Sequence, residues 1–343
     1  MDDQRPTRSK WRSWAWPWEL RRQGVLGINA RNGNLILPLN PRSHFPRVDD
    51  KLVTKIICEQ YGIPVPTTYG VIRKQSEVRN WLANLNLNQD FVIKPAQGSG
   101  GRGIIVVAER RGDNFITTNG KQLSSAEIQY HLSAILAGLY SLGGRTDAVL
   151  LEQRIIPHRA LQQITVGGTP DIRLIVYRGV PAMAMLRLPT RVSAGRANLH
   201  QGAAAVGIDL LHGITVGGVC GAQRVDLHPD TNYPIAGNTV PYWNTVITAA
   251  KNLANGLEMG YLGIDFVLDE HRGPLVLEAN ARPGLTIQLA NRAPLIDRLL
   301  KIDDQLARQE LPTKNSIDTI DKRCQERNAL LLSGRRKCVR NFF

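Results

Sequence analysis

The 343-residue sequence contains no apolar run as long as the roughly 18 residues that a membrane-spanning helix needs. Its amino terminus is charged and carries no apolar signal-peptide core. The four cysteines show no C-x-x-C spacing, so the pattern indicates neither a disulfide framework nor a zinc site. From these absences we predict a cytoplasmic protein, and the alternative location is the inner face of a membrane.

The chain also lacks the two commonest phosphate-binding loops. Gly98, Gly100 and Gly103 match the G-x-G-x-x-G spacing, but Ile-Ile-Val-Val follows where a Rossmann helix must begin. No G-K-[ST] follows either, which excludes a P-loop. Residues 91–107 are therefore predicted to form a strand, a glycine-rich loop and a second strand. Lys94 lies at the root of the loop. Such a loop can close its backbone N–H groups over phosphate oxygens, and the alternative is an ordinary hairpin turn.

Positive charge is abundant, with a formal net charge of +14. Nucleic acid, an acidic substrate and an anionic membrane surface would each explain this charge. Because much of it lies at the two ends of the chain, we predict no nucleic-acid groove. Residues 1–24 place Trp11, Trp14, Trp16 and Trp18 among arginines, which suits a membrane interface or a partner groove. The alternative, which the short length of the segment and Pro17 favour, is that these tryptophans pack on the protein body.

The stretch from Gly263 to Asn280 predicts a two-stranded hairpin that carries oxygen ligands. With a turn over residues 269–274, Leu268 faces Leu275, Val267 faces Val276 and Asp265 faces Glu278. One face is then apolar, formed by Ile264, Phe266, Leu268, Leu275, Leu277 and Ala279. Asp265, Glu278 and Asn280 converge on the other face and suit Mg²⁺, because two opposed carboxylates repel each other without a cation. The alternative is a solvated sheet face with scattered acids.

Local signals predict the surrounding elements. Asp49 or Asp50 caps a helix that ends near Tyr61, with Leu52, Val53, Ile56 and Ile57 as its apolar face. Ser124 and Glu127 form a capping box that opens a helix whose last apolar position is Leu139. Arg173 and Arg187 lie inside strands, where they either contact a ligand or form buried ion pairs.

Five blocks of sequence resemble the ATP-grasp superfamily, in particular the RimK-type α-L-glutamate ligases. In chain order they read DDKLVTKIICEQYGIPVP, FVIKPAQGSGGRGI, LEQRI, DIRLIVYRG with GRANLHQGA, and GIDFVLDEHRGPLVLEANARPG. The resemblance implies an α+β, ATP-grasp fold in which two α+β lobes sandwich ATP. It assigns residues 49–155 to a central lobe with a glycine-rich flap and residues 156–300 to a carboxyl-terminal lobe with the Mg²⁺ site. Residues 1–48 would be a Trp/Arg-rich segment with a truncated pre-ATP-grasp region, and residues 301–343 a basic helix and tail.

The resemblance also implies roles for matching residues. The implied nucleotide contacts are Lys51 and Lys94 at the ATP phosphates, Gly98, Ser99, Gly100, Gly101 and Gly103 in the flap, and Glu152 and Ile155 at the purine. The implied ligands of two Mg²⁺ ions, with Mn²⁺ as the alternative metal, are Asp265, Glu278 and Asn280. Arg187 and Arg282 are the implied catalytic residues, and Arg173, Asn198 and His200 the implied substrate contacts.

The activity implied by the resemblance is ATP- and Mg²⁺-dependent joining of a carboxylate to an amine through an acylphosphate. The substrates would be small molecules or peptides, and the enzyme a C–N ligase. Two alternatives stay open: an ATP-grasp kinase for a small molecule, and a non-catalytic ATP-binding component of a membrane-associated assembly. The Trp/Arg composition adds a membrane or a partner protein bound through residues 1–24 as an expected partner. The truncated first region adds a second copy of the chain, which could supply the missing surface.

Overall fold

A computed structural model describes residues 16–84, 90–98 and 100–309. The predictions made for Trp11, Trp14, Ser99 and the basic tail therefore lie outside the described residues. The chain divides into two compact units. Residues 1–34 and 293–343 belong to the smaller unit, and residues 35–292 form the larger one.

The larger unit contains two antiparallel sheets, of six and seven strands. The strands are β1 Thr68–Ile72, β2 Phe91–Pro95, β3 Ile105–Arg111, β4 Asn114–Thr117, β5 Gln122–Ser124, β6 Val149–Glu152, β7 Asp171–Tyr177, β8 Val180–Leu188, β9 Ala204–Ile208, β10 Thr215–Cys220, β11 Gln223–Val225, β12 Tyr261–Asp269 and β13 Gly273–Asn280. The α-helices of the described residues are α1 Pro17–Arg22, α2 Ile28–Arg31, α3 Leu37–Leu39, α4 Pro46–Asp49, α5 Lys51–Gln60, α6 Gln75–Asn84, α7 Ser125–Leu136, α8 Arg159–Gln162, α9 Trp243–Leu257, α10 Ile287–Asn291 and α11 Ile296–Gln309. None of the helices described is both long and apolar enough to cross a bilayer.

The six-stranded sheet has the order β1-β6-β2-β3-β4-β5 and packs against α6 and α7. The predicted hairpin over the glycine-rich loop is confirmed, with Phe91 opposite Val107 and Ile93 opposite Ile105. The capping box is also confirmed, because Ser124 Oγ accepts a hydrogen bond from the Glu127 N–H and Glu127 accepts one from Ser124 N–H. Leu139 lies beyond the end of α7 and is 66% exposed, so its predicted core position is wrong.

The seven-stranded sheet has the order β11-β10-β9-β8-β7-β12-β13. Its core includes apolar side chains from α5, α9 and the strands β7, β8, β9, β12 and β13. Strand β12 lies between β7 and β13, so residues on β12 face a neighbour on each side. This central position brings Asp265 together with side chains of two other strands.

The predicted register of the β12–β13 hairpin is correct at one end and wrong at the other. Asp265 is opposite Glu278, as predicted, but Phe266 is opposite Val276 because Leu277 forms a bulge. A bulge adds one residue to one strand and shifts the alternation of side chains beyond it. Val276 therefore joins Phe266 in the core, in the position predicted for Leu277, which is half-buried. The turn between the strands is shorter than the predicted 269–274 and runs from Glu270 to Arg272, because Asp269 is opposite Gly273.

Helix α5 begins where the sequence predicts, with Asp50 Oδ1 accepting the Leu52 N–H at 2.8 Å. Its predicted apolar face is wrong at Ile56, which is 54% exposed, whereas Ile57 packs against the core and Thr54, Lys55 and Cys58 are buried. The apolar periodicity of the sequence favoured the branched aliphatic residues. The polar face is buried instead because Lys55 forms an ion pair with Glu152 on β6. Burial also raises the pKa of the Cys58 thiol to about 12, which keeps it protonated.

Buried apolar residues also occur in the smaller unit. They are Leu26, Leu295, Leu299 and Ile302. A Cβ atom on Gly24 would lie 2.9 Å from Asp297 Oδ1, which places the chain after α1 directly against α11. Helix α11 begins at Ile296, five residues before the start predicted for the terminal helix.

Candidate active site

Two lysines converge on one buried carboxylate in the larger unit. Lys55 from α5 and Lys94 from β2 form ion pairs with the two different oxygens of Glu152 on β6. Lys55 also donates to the Pro66 carbonyl at 2.7 Å. Strands β2 and β6 are neighbours, and the register that sets Val92 opposite Glu152 brings these side chains together. All three charged side chains are less than a tenth exposed, so the structure holds them in fixed positions.

Lys51 lies one helical turn before Lys55 and links α5 to the flap. Its Nζ donates to the Gly98 carbonyl at 2.6 Å and lies 3.8 Å from Glu278 Oε2. Burial lowers the pKa of Lys51, and the Glu278 carboxylate opposes that shift. Burial likewise lowers the pKa of Lys55 against the Glu152 charge. Lys55 and Lys94 thus share one carboxylate, a local excess of positive charge that suits an anionic ligand, while Lys51 faces the carboxylates of Glu278 and Asp147.

The base of the flap is held by backbone and carboxylate contacts. The Lys51 N–H donates to the Ala96 carbonyl at 3.1 Å, and Asp147 accepts the Gln97 N–H at 3.0 Å. A Cβ atom on Gly98 would lie 2.2 Å from Pro95 Cγ, so only glycine fits there. These contacts place the start of the flap beside the amino terminus of α5.

The rest of the flap uses glycine because its backbone is left-handed. Gly100, Gly101 and Gly103 have φ angles of 65°, 72° and 75°. A Cβ atom on Gly103 would meet the Tyr140 ring at 2.6 Å. His131 Nε2 lies 2.9 Å from the Gly103 carbonyl, and this contact fixes the far end of the flap to α7.

A second charged cluster lies on the seven-stranded sheet. Arg173 donates to both oxygens of Asp265, at 2.8 and 2.6 Å, and Arg187 Nη2 donates to Asp265 Oδ2 at 2.8 Å. Arg187 also forms an ion pair with Asp171. The cluster follows from strand register, because Asp265 is opposite Arg173 and Asp171 is opposite Arg187. Of the two predicted outcomes for these arginines, the structure shows the buried ion pairs.

The two acids of this cluster differ in their titration. Burial acts against the charge of Asp265, but the Arg173 and Arg187 guanidiniums outweigh it and hold the pKa of Asp265 below its usual range. Burial raises the pKa of Asp171 to about 7, with Arg187 opposing and Asp265 adding to the rise. Asp265 and Glu278 therefore need no metal cation to offset their repulsion, because the Arg173 and Arg187 guanidiniums supply positive charge.

The donor chemistry of the hairpin end still fits Mg²⁺. Asn280 Nδ2 donates to Glu278 Oε1 at 3.2 Å, which holds two oxygen-bearing side chains side by side. A carboxylate offers about four lone-pair positions, and the three guanidinium bonds leave Asp265 Oδ1 with one further position. Among the residues described, no group of three or more His, Cys, Asp or Glu side chains is close enough to hold a metal. A cation here would thus depend on the Asn280 amide oxygen or on ligand oxygens.

The segment after β6 is attached to the turn of the β12–β13 hairpin. Buried Asp269 accepts the Ile156 N–H at 3.0 Å, and Arg272 donates to Gln153 at 2.6 Å and to Thr67 at 2.9 Å. Ile155, predicted at the purine, is half-buried in this segment. The contacts fix the course of the backbone between Glu152 and α8.

The remaining predicted residues make contacts outside these two clusters. Asn198 Oδ1 accepts the His200 N–H at 3.0 Å and so caps the 3₁₀ helix Leu199–Gln201, while the His200 side chain is exposed. The exposed Arg282 guanidinium stacks 4.6 Å from the centroid of the Phe45 ring. The loop that carries Asn198 also approaches the flap, where a Cβ atom on Gly101 would lie 3.9 Å from Arg196 Cδ.

Sequence reasoning missed three residues of the site. Lys55 stands in an apolar helical pattern, and its i, i+4 spacing from Lys51 was the available signal. Asp171 begins the strand that carries Arg173, and only the β7–β8 register pairs it with Arg187. Asp147 lies just before β6, and its contact with Gln97 spans 50 residues.

Comparisons with known proteins agree with this architecture. A family model described as sugar-transfer associated ATP-grasp matches residues 30–304. A probable alpha-L-glutamate ligase of Thioalkalivibrio sulfidiphilus is 24% identical over 276 residues, which cover 80% of this chain and 69% of the relative. A probable alpha-L-glutamate ligase 2 of Pseudoalteromonas atlantica is 26% identical over 249 residues, covering 72% of this chain and 60% of the relative. The chain thus spans three-fifths to about two-thirds of these relatives.

Among solved structures, a RimK domain ATP-grasp protein of Sphaerobacter thermophilus aligns with a TM-score of 0.41 and 16% identity. That alignment covers 76% of this chain and 69% of the other. The predicted resemblance and the α+β ATP-grasp fold are confirmed by the family match. Because that match spans most of the chain, the protein belongs to the sugar-transfer associated ATP-grasp family.

Proposed function

We propose that the protein is an ATP- and Mg²⁺-dependent ligase that joins a carboxylate to an amine. One observation carries the proposal: three lysines lie beside a glycine-rich flap, two of them share one carboxylate, and Lys51 bridges that flap to Glu278. This arrangement suits the phosphates of a nucleotide and the transfer of a phosphoryl group. The similarity to proteins named as glutamate ligases supports glutamate as the first acid to test.

The reaction would proceed in two steps. The substrate carboxylate attacks the γ-phosphorus of ATP, which forms an acylphosphate and releases ADP. The amine then attacks the acyl carbon, and inorganic phosphate leaves. Each step moves negative charge rather than creating a covalent bond to the enzyme, so positioning and charge stabilisation supply most of the catalysis.

Individual residues of this chain would have distinct roles around the nucleotide. Lys51 and Lys94 would neutralise the phosphates, and Gly98, Gly100, Gly101 and Gly103 would cover them with backbone N–H groups. Glu152, which has acceptor positions beyond its two lysine bonds, would accept the purine amino group beside Ile155.

On the opposite side of the nucleotide, Glu278, Asn280 and Asp265 would hold Mg²⁺, which offsets phosphate charge when it is bound. Arg187 and Arg282 would stabilise the transferred phosphoryl group. Arg173, Asn198 and His200 would border the acid and the amine.

The test is a hydroxamate trap. The full chain is incubated with ATP, Mg²⁺, hydroxylamine and one acid at a time, beginning with glutamate, and hydroxamate is measured as its coloured iron complex. We expect ATP-dependent hydroxamate with at least one acid, because hydroxylamine captures an acylphosphate. Glu278→Gln should abolish the signal, while the matched change Glu109→Gln, at an exposed glutamate on β3, should leave it unchanged.

The other outcomes separate the alternatives. ATP binding without hydroxamate for any acid would contradict the ligase. A phosphorylated alcohol formed under the same conditions would instead indicate a small-molecule kinase. Equal activity of the Glu278→Gln variant and the wild-type protein would contradict the proposed metal end of the hairpin.

A further inference from the structure

Helix α1 and the residue before it present a tryptophan pair that is more than half exposed. The Trp16 and Trp18 rings are stacked, with centroids 4.7 Å apart and planes inclined by 11°. Their side chains are 58% and 54% exposed, and Leu20 is 37% exposed. No residue of α1 is buried. This corrects the interpretation we favoured from sequence, at least for these two tryptophans: they do not pack on the protein body.

The local geometry keeps the pair on one short turn. Pro17 occupies the first helical position, and Glu19 Oε2 accepts the Trp16 N–H at 3.1 Å. The turn ends in the exposed residues Arg21 and Arg22. Two aromatic rings and two cationic groups therefore lie within seven residues of chain.

The composition of the adjoining sequence matches this surface. Residues 1–24 contain four of the six tryptophans of the chain, with six Lys or Arg against three Asp or Glu. Tryptophan favours the headgroup level of a bilayer because its ring is apolar while its N–H needs a polar partner. Clusters of about four to eight basic residues are attracted to anionic lipid headgroups. The six basic residues of this segment lie within that range.

We propose that residues 16–22 dock the protein on an anionic lipid surface. Trp16, Trp18 and Leu20 enter the headgroup region, and the neighbouring basic residues contact lipid phosphates. The charge favours an anionic bilayer over an apolar protein groove, because a groove would cover the rings without matching the positive charge of this segment. The docking is reversible and peripheral, since one short apolar turn gives marginal binding without the added electrostatic attraction.

The experiment is co-sedimentation of the full chain with two kinds of vesicle, one of phosphatidylcholine alone and one of equal parts phosphatidylcholine and phosphatidylglycerol. We expect binding to the anionic vesicles, weakened by salt, and little binding to the neutral ones. Trp16→Ala/Trp18→Ala should reduce the partition coefficient by about tenfold or more. The matched control Tyr130→Ala/Leu139→Ala, which removes side chains that are 76% and 66% exposed, should bind like the wild type.

Three results would overturn the proposal. They are absence of wild-type binding to anionic vesicles, equal binding to both vesicle types, and undiminished binding of the tryptophan variant. Self-association of the wild type that is lost in the tryptophan variant, without vesicle binding, would assign the surface to a second copy of the chain. Hydroxamate formation without vesicles should be equal in the variant and the wild type, so failure of this proposal and of the ligase are distinguishable.

Discussion

The two buried charged clusters of the larger unit differ in their balance. On the six-stranded sheet, Lys55 and Lys94 share Glu152, so positive charge is in excess. On the seven-stranded sheet, Arg173 and Arg187 face Asp171 and Asp265, and formal charges cancel. A balanced buried cluster can satisfy itself, whereas an unbalanced one is stabilised by a ligand of opposite charge. The comparison supports the proposal that the lysine cluster binds the nucleotide phosphates, and it shows that the arginine ion pairs also hold the end of the hairpin.

The largest expected effect comes from breaking the balanced cluster. Arg187→Met should lower the free energy of unfolding by about 3–5 kcal/mol at pH 8, because it leaves Asp171 buried without its ion pair. Urea denaturation followed by circular dichroism measures this change. A loss below about 1 kcal/mol would show that the cluster contributes little to stability.

The effect of Arg187→Met should also depend on pH. Burial already raises the pKa of Asp171 to about 7, and loss of the guanidinium raises it further. The folded variant then keeps a proton on Asp171 that the unfolded chain releases above about pH 4, so stability falls as the pH rises from there. The deficit relative to the wild type should shrink at pH 5, and adding Asp171→Asn should recover much of it at pH 8.

The next effect concerns the unbalanced cluster. Lys94→Ala should reduce ATP-dependent turnover by about 100-fold or more, since a preorganised charge at developing negative charge is lost. The fold should persist because Glu152 keeps Lys55 as its partner. Hydroxamate formation and ATP-induced shifts of the melting temperature measure the two consequences. Unchanged activity in this variant would refute the assignment of Lys94.

Sequence reasoning found the parts of the site that depend on local signals. The flap hairpin, the Asp50 cap and the pairing of Asp265 with Glu278 all follow from glycine spacing, capping residues and strand alternation. The bulge at Leu277 was not found, because Leu277 and its neighbour Val276 are equally apolar. An apolar pattern cannot indicate which of two such residues faces the core.

The charged pairs were harder to predict because their partners are distant in the chain. Lys55 and Glu152 are separated by 97 residues, and Arg173 and Asp265 by 92. Only the sheet register determines that these side chains meet. The sequence predicted that Arg173 and Arg187 would either form buried ion pairs or contact a ligand. It did not distinguish these alternatives, because the acidic partners are identified only by the strand register.

The smallest expected effect distinguishes the two clusters most directly. Lys55→Met removes one charge from the unbalanced cluster and is the counterpart of Arg187→Met. Burial lowers the pKa of Lys55, and Lys94 remains to balance Glu152 once Lys55 is replaced. The free energy of unfolding should therefore fall by only about 1 kcal/mol, far less than for Arg187→Met. Urea denaturation of both variants at one pH makes the comparison. Equal losses in the two variants would mean that both clusters are primarily structural, and the excess charge would then no longer identify the nucleotide site.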